Sequence, residues 1–247
     1  MSEGIGARVL RKEDKRFITG KARYTDDIVE PNQAYAAFVR SPHAHARIVS
    51  IDTSAAMAML GVETVLMGPE LVSDGIGNII CGWGVTSKDG SPMNMGAWSA
   101  LATEKVRYVG DAVAIIVADT KSLATLAAEA VVVTYEELPV VVGSLQALAE
   151  GSPQLHDNAP SNLIFDWEIG DLAPTDAALE TAAHVTEMDI TNNRLAPNPM
   201  EPRSAIATFN DAEDHYTLYT TSQNPHVARL VLSAFYNVAP EHKLRVI

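Results

Sequence analysis

The stretch Val106–Pro139, VRYVGDAVAIIVADTKSLATLAAEAVVVTYEELP, restricts what this chain can fold into more than any other. Ala112–Val117 is an unbroken apolar run, which predicts a buried strand over Asp111–Ala118. Asp119 and Thr120 follow, residues whose side chains accept a backbone N–H bond at the start of a helix. Leu123, Leu126, Ala127 and Ala130 recur at the three- and four-residue spacing of an amphipathic helix. Val131–Tyr135 reads as a second strand, closed by Glu136, Glu137, Leu138 and Pro139. A strand, a helix and a strand of these lengths predict a right-handed crossover unit with its strands parallel. Such a unit is architecture; it holds no catalytic motif by itself.

Around it the chain alternates short elements with turns. Residues 1–30 read as an exposed lead-in, with Arg8, Arg11, Lys12, Lys15 and Arg16 solvated or docked on an acidic surface. Ala34–Arg40 is a strand interrupted by Ser41-Pro42, Ile48–Ile51 another, and Thr53–Leu60 a short helix ended by Gly61. Val62–Met67 is a strand. Gly68–Gly96, rich in glycine and carrying Cys81, Trp83 and Met93, reads as a long irregular loop over the core, facing a partner or a substrate funnel. Its glycines miss the dinucleotide fingerprint, because Ile80 stands where a glycine is needed. Gly143–Pro160 is polar and turn-rich, so a domain boundary is expected there. Beyond it we expect a helix at Thr175–Ala183 and strands at His184–Ile190, Ser204–Phe209 and Tyr216–Thr221. The helix Val227–Tyr236 and a strand from Leu244 complete the reading. A chain ending inside an apolar strand is expected to be truncated, with residues 161–247 looser than the first 145 for want of covering strands.

Composition removes several classes. Apolar residues at 47% and charged residues at 20% describe a globular chain. Residues 1–50 carry nine Lys/Arg and six Asp/Glu, net +3, while the rest carries net −16. So acidic a body argues against nucleic acid or anionic lipid as a partner. No run approaches the roughly 20 apolar residues of a membrane span, and the N-terminus lacks the apolar core of a signal peptide. The single cysteine, Cys81, excludes an internal disulfide and a cluster held by this chain's own thiolates. A reducing, cytoplasmic setting follows as the default.

Chemistry-bearing residues are few. His43 and His45 have the spacing to share one side of a strand and a metal ion, or to make ordinary loop hydrogen bonds. Asn192–Arg203 and Thr221–His226 place uncharged amides beside rigid prolines at strand ends, where loops commonly build sites. Gln223 can donate to an oxo or carbonyl oxygen without adding charge. Glu201 and Arg203 are either a site pair or a salt bridge fixing the turn. There is no G-x-S-x-G, P-loop or H-E-x-x-H.

At these residues the sequence resembles the large, molybdopterin-binding subunit of the xanthine dehydrogenase, aldehyde oxidase and carbon monoxide dehydrogenase family. The matching stretches are RFITG (16–20), YTDDI (24–28), FVRSPHAHARI (38–48) and Val106–Thr120. Asn192-Asn193-Arg194, Met200-Glu201-Pro202-Arg203 and Thr221-Ser222-Gln223-Asn224-Pro225-His226 continue the match in order. The resemblance implies an α+β fold: an α/β hammerhead domain over 1–145, a linker over 146–160, and the start of a molybdopterin-binding domain over 161–247. It implies a molybdenum hydroxylase that oxidises an aldehyde, an N-heterocycle or carbon monoxide with oxygen from water. Its cofactor would be molybdopterin cytosine dinucleotide, with iron–sulfur clusters and FAD on partner subunits in a dimer of heterotrimers.

In that family a glutamine at the position of Gln223 hydrogen-bonds an oxo ligand of molybdenum, which makes Gln223 both the catalytic and the cofactor-binding candidate. The family's glycine-rich cofactor loop, its catalytic glutamate and its specificity loop fall beyond Ile247. This chain alone is therefore expected neither to hold the cofactor nor to turn over substrate. The competing expectation is a non-catalytic scaffold or assembly protein that keeps the hammerhead; a zinc hydrolase built on His43 and His45 is a third.

Overall fold

The computed structural model describes residues 4–79, 81–96 and 98–247, so Ile80 lies outside it. In chain order its elements are α1 (Asp14–Ile18), β1 (Tyr35–Arg40), β2 (Ala46–Asp52), α2 (Ser54–Met57), β3 (Val62–Met67), α3 (Gly68–Ser73), β4 (Lys105–Val106) and β5 (Ala112–Ala118). There follow α4 (Lys121–Ala130), β6 (Val132–Glu137), α5 (Ser144–Ala147), α6 (Leu172–Thr181), β7 (Ala205–Asn210), β8 (His215–Thr220), α7 (Pro225–Leu230) and β9 (Leu244–Val246). The class is α+β, as expected. Two compact units form, one of Ala34–Pro197, the other of Met1–Gln33 with Asn198–Ile247.

In the first unit the apolar run becomes β5, the middle strand of the sheet β1-β5-β3, antiparallel to both neighbours. Alternate side chains leave opposite faces of a strand. Ala114 and Ile116 pack with Ala56, Val65, Ala127 and Val131, while Val113 joins Ala46, Ala102 and Val106. With both faces covered, β5 needs apolar residues at every position, which accounts for the unbroken run.

The expected crossover unit does not form. β6 pairs antiparallel with β2, in a second sheet of order β4-β2-β6. Both edges of β5 are already taken by β1 and β3, so no edge is left for β6. β6 also alternates partly buried and exposed residues, as an edge strand with one covered face does.

The helix between them forms, but the face it buries is Ala124 and Ala127, while Leu126 is exposed. Thr120 caps α4, its hydroxyl oxygen accepting from Leu123 N at 3.1 Å. Thr120→Ala should cost about 1 kcal/mol of stability, the usual value of an N-cap, measured by urea unfolding. Where Gly68 opens α3, a Cβ would come within 2.4 Å of the Ala102 carbonyl oxygen, so only glycine fits the approach. The 68–96 segment is accordingly less irregular than expected: it begins as a helix and includes a bridge between Thr86 and Pro92.

One further expectation fails in this unit, and one holds with shifted bounds. The stretch 184–190 joins no strand and is exposed throughout, so its alternation has no partner sheet to serve. The helix expected at Thr175–Ala183 starts earlier, at Leu172, with Pro174 tolerated in its first turn. Residues 143–160 fall within the same unit, where Asn162 Nδ2 donates to the carbonyls of Ala147 and Pro153.

In the second unit β7 and β8 form a hairpin across the turn 211–214, and β9 lies parallel to β8 on its other edge. β8–α7–β9 is thus the parallel strand–helix–strand arrangement that Val106–Pro139 lacks. No helix among the described residues is long and apolar enough to cross a membrane.

Candidate functional site

A parallel strand pair leaves the C-terminal ends of its strands side by side, and open α/β sheets bind ligands there. In the second unit the ends of β8 and β9 open into a cleft of about 720 Å³. Tyr219, Thr220, Thr221, Ser222 and Gln223 line it from the end of β8, and Ile247 from the end of β9. The β8 end is fixed from below. Thr221 Oγ1 accepts from Ser204 N at 3.1 Å, and Thr220 Oγ1 donates to the Ser204 carbonyl at 3.2 Å. Asn224 N donates to Ser222 Oγ at 3.1 Å, and Pro225 opens α7, which ends the turn. Gln223 is held between these anchors, exposed at the cleft, its amide engaged by no described residue.

The proline-rich segment contributes Pro199 and Glu201. Glu201 neither pairs with Arg203 nor faces the cleft as a free carboxylate. Its Oε1 accepts from Thr25 N at 3.1 Å and from Thr25 Oγ1 at 3.3 Å. Both readings of a Glu201–Arg203 pair are thereby corrected: the carboxylate is used to hold Thr25. Arg23, Tyr24, Thr25 and Ile28 complete the wall.

The charge pattern of residues 23–28 is that of a solvated arm, which masks their place in the cleft wall. The signal present is a turn: Asp27 Oδ2 accepts from Tyr24 N at 2.8 Å, which a Thr-Asp-Asp run favours. The other sequence candidates go elsewhere. Arg194 belongs to the first unit, and His226 lines a small polar pocket with His215, Arg229 and His242.

His43 and His45 lie in a bend ahead of β2 rather than on a strand. His45 Nδ1 lies 2.8 Å from the Pro139 carbonyl, while His43 packs on Tyr135 at 4.8 Å between ring centroids. The two rings therefore serve separate contacts. Among the described residues no group of three or more His, Cys, Asp or Glu is placed to hold a metal ion.

The first unit has a cavity of its own, of about 670 Å³, lined by Val140–Val142, Trp98, Arg107 and His156, and by Cys81 and Met93–Gly96 of the glycine-rich segment. Burial pushes the His156 ring below its ordinary pKa; Arg107 and His45 add to the effect and Asp157 opposes it.

A cleft at paired strand ends, walled by hydroxyls, by Arg23 and by a carboxamide that no described residue engages, suits an anionic or oxygen-rich group. Residues 19–139 match the aldehyde oxidase and xanthine dehydrogenase a/b hammerhead domain, and residues 155–247 match the molybdopterin cofactor-binding domain. The chain belongs to the molybdenum hydroxylase family of xanthine dehydrogenases, aldehyde oxidases and carbon monoxide dehydrogenases.

Within that family it is 36% identical to the carbon monoxide dehydrogenase large chain of Afipia carboxidovorans, over 99% of this chain and 30% of the relative. It is 35% identical to the nicotine 6-hydroxylase large subunit of Paenarthrobacter nicotinovorans, over 94% of this chain and 27% of the relative. The reconstituted CO dehydrogenase from Oligotropha carboxidovorans superposes with a TM-score of 0.84 at 35% identity, covering 99% of this chain and 30% of that one. The chain thus spans about 30% of the length of the carbon monoxide dehydrogenase large chain.

Proposed function

We propose that this chain is the N-terminal portion of a molybdenum hydroxylase subunit that oxidises an aldehyde, an N-heterocycle or carbon monoxide. The observation that carries the reading is Gln223, a carboxamide engaged by no described residue at the paired ends of β8 and β9, in a chain similar to such hydroxylases over nearly all its length. When bound, the molybdenum cofactor supplies the redox chemistry that places a water-derived oxygen on carbon.

The residues present fit such a group in part. Gln223 Nε2 is free to donate to one of its oxygens, and the hydroxyls of Thr220 and Thr221 are turned to Ser204, where they hold the loop rigid. A preorganised neutral donor suits a centre whose charge changes during turnover, because it stabilises without fixing a charge state. Glu201, by holding Thr25, keeps residues 23–28 against the cleft wall. These side chains position and polarise; the general base and the main cofactor contacts belong to later parts of the subunit.

The same reading assigns residues 1–145 to the hammerhead domain, 146–160 to a linker and 161–247 to the molybdopterin-binding domain, supported by the two family matches. It takes molybdopterin cytosine dinucleotide as cofactor. Electrons would pass to an iron–sulfur subunit and an FAD subunit, in a dimer of heterotrimers in the cytoplasm.

Two measurements test this reading. The coding DNA past Ile247 should continue in frame into a glycine-rich stretch; a stop codon there would support the scaffold instead. The complete enzyme in ¹⁸O-labelled water should put label into its oxidised product, and unlabelled product would exclude the reaction.

A further inference from the structure

The cavity of the first unit departs from the rest of the chain in its charge. The chain holds 31 Asp/Glu against 18 Lys/Arg, yet Arg107, Arg194 and His156 line this cavity and, among the described residues, no carboxylate does. The Arg107 side chain is only 25% exposed. Its Nε donates to the Leu155 carbonyl at 2.9 Å, which fixes the guanidinium plane. The terminal nitrogens are weakly engaged, 3.5 Å from the Lys105 carbonyl and 4.0 Å from the Asp157 carboxylate. A guanidinium fixed through one nitrogen, with its fork loosely paired in a partly dry site, is arranged to take an anion.

The remaining wall is mainly apolar, with Asn94, Tyr108, Ser144 and Asn162 as its polar members. Trp98 and Val140–Val142 face the same space as Arg107. The volume of about 670 Å³ lies within the range of roughly 300–1,000 Å³ that small-molecule sites occupy.

We propose that this cavity binds a small organic monocarboxylate with an aromatic body, its carboxylate on Arg107 and its rings against Trp98 and Val140–Val142. The site lies apart in kind from the Gln223 cleft, and its test involves no turnover. His156 adds a second readout. Its ring is held below its ordinary pKa by burial first, then by Arg107 and His45, with Asp157 acting the other way. A carboxylate bound beside it opposes the Arg107 and His45 contributions, so occupancy should move the His156 titration upward.

Isothermal titration of the 247-residue chain with 2-naphthoate and with neutral 2-naphthalenemethanol separates charge recognition from mere apolar filling. A charge-assisted hydrogen bond is worth about 1.5–3 kcal/mol, so the acid should bind roughly 10- to 100-fold more tightly than the alcohol. Arg107→Gln should abolish that preference. Arg194→Gln, at an exposed position, should reduce it partially, and it reports on the site even if the Arg107 variant does not fold. By NMR, saturating naphthoate should raise the His156 pKa and the alcohol should not. Equal affinities for acid and alcohol, no binding of naphthoate at millimolar concentration, or an unmoved His156 titration would each overturn the proposal. Loss of binding in the complete subunit would also overturn it, by showing that later residues fill the cavity.

Discussion

Gln223→Ala in the complete enzyme should lower turnover roughly 100- to 1000-fold while leaving molybdenum content unchanged. On the proposed role, the substitution removes one preorganised donor from a site where charge is redistributed, and loss of such a donor costs about 3–4 kcal/mol in the transition state. Cofactor loading should survive, because one amide at the rim of the cleft is a small share of what holds a dinucleotide. Gln223→Glu should be more damaging in one respect, setting a carboxylate against a negatively polarised oxygen. If Gln223 only satisfied the end of β8, its removal would cost about 1 kcal/mol of stability and leave turnover intact. Turnover and molybdenum content measured on the same Ala preparation distinguish these outcomes.

Ile116→Ala should produce the largest loss of stability among single substitutions in the first unit. Ile116 is fully buried in the central strand β5, packed among Ala56, Val65, Ala127 and Val131. Ala56 and Ala127 among these neighbours cannot expand into the space, so the cavity should persist. Such truncations cost about 2–5 kcal/mol. Leu60→Ala is the matched control, since Leu60 is 98% exposed and surface changes stay within about 0.5 kcal/mol. Denaturant unfolding of both variants, monitored by circular dichroism, gives the comparison directly.

Local information in the sequence was enough for β5, α4 and the Thr120 cap, because an apolar run, a 3.6-residue period and a cap each lie within a few residues. Pairing was not legible. Nothing in Val131–Tyr135 says that its partner is β2 rather than β5; that depends on β1 and β3 having filled both edges of β5 first. The stretch 184–190 shows the same limit from the other side, an alternating pattern without a strand to meet it.

The Gln223 loop could be read as a site from its amides and prolines alone. Its opposite wall could not. The contact between Glu201 and Thr25 spans 176 residues of sequence, and a Glu two residues before an Arg looks like a local ion pair. The arginine-lined cavity was equally hidden, since Arg107 and Arg194 are ordinary charges until folding brings both to the wall of one space.

Metal and nucleotide analysis of the complete subunit, co-expressed with its iron–sulfur and FAD partners, tests the family-based reading of this chain most directly. Stoichiometric molybdenum, with cytosine nucleotide released on acid hydrolysis, is the expected result. A folded, complete subunit that carries neither under conditions that load an established molybdenum hydroxylase would contradict it.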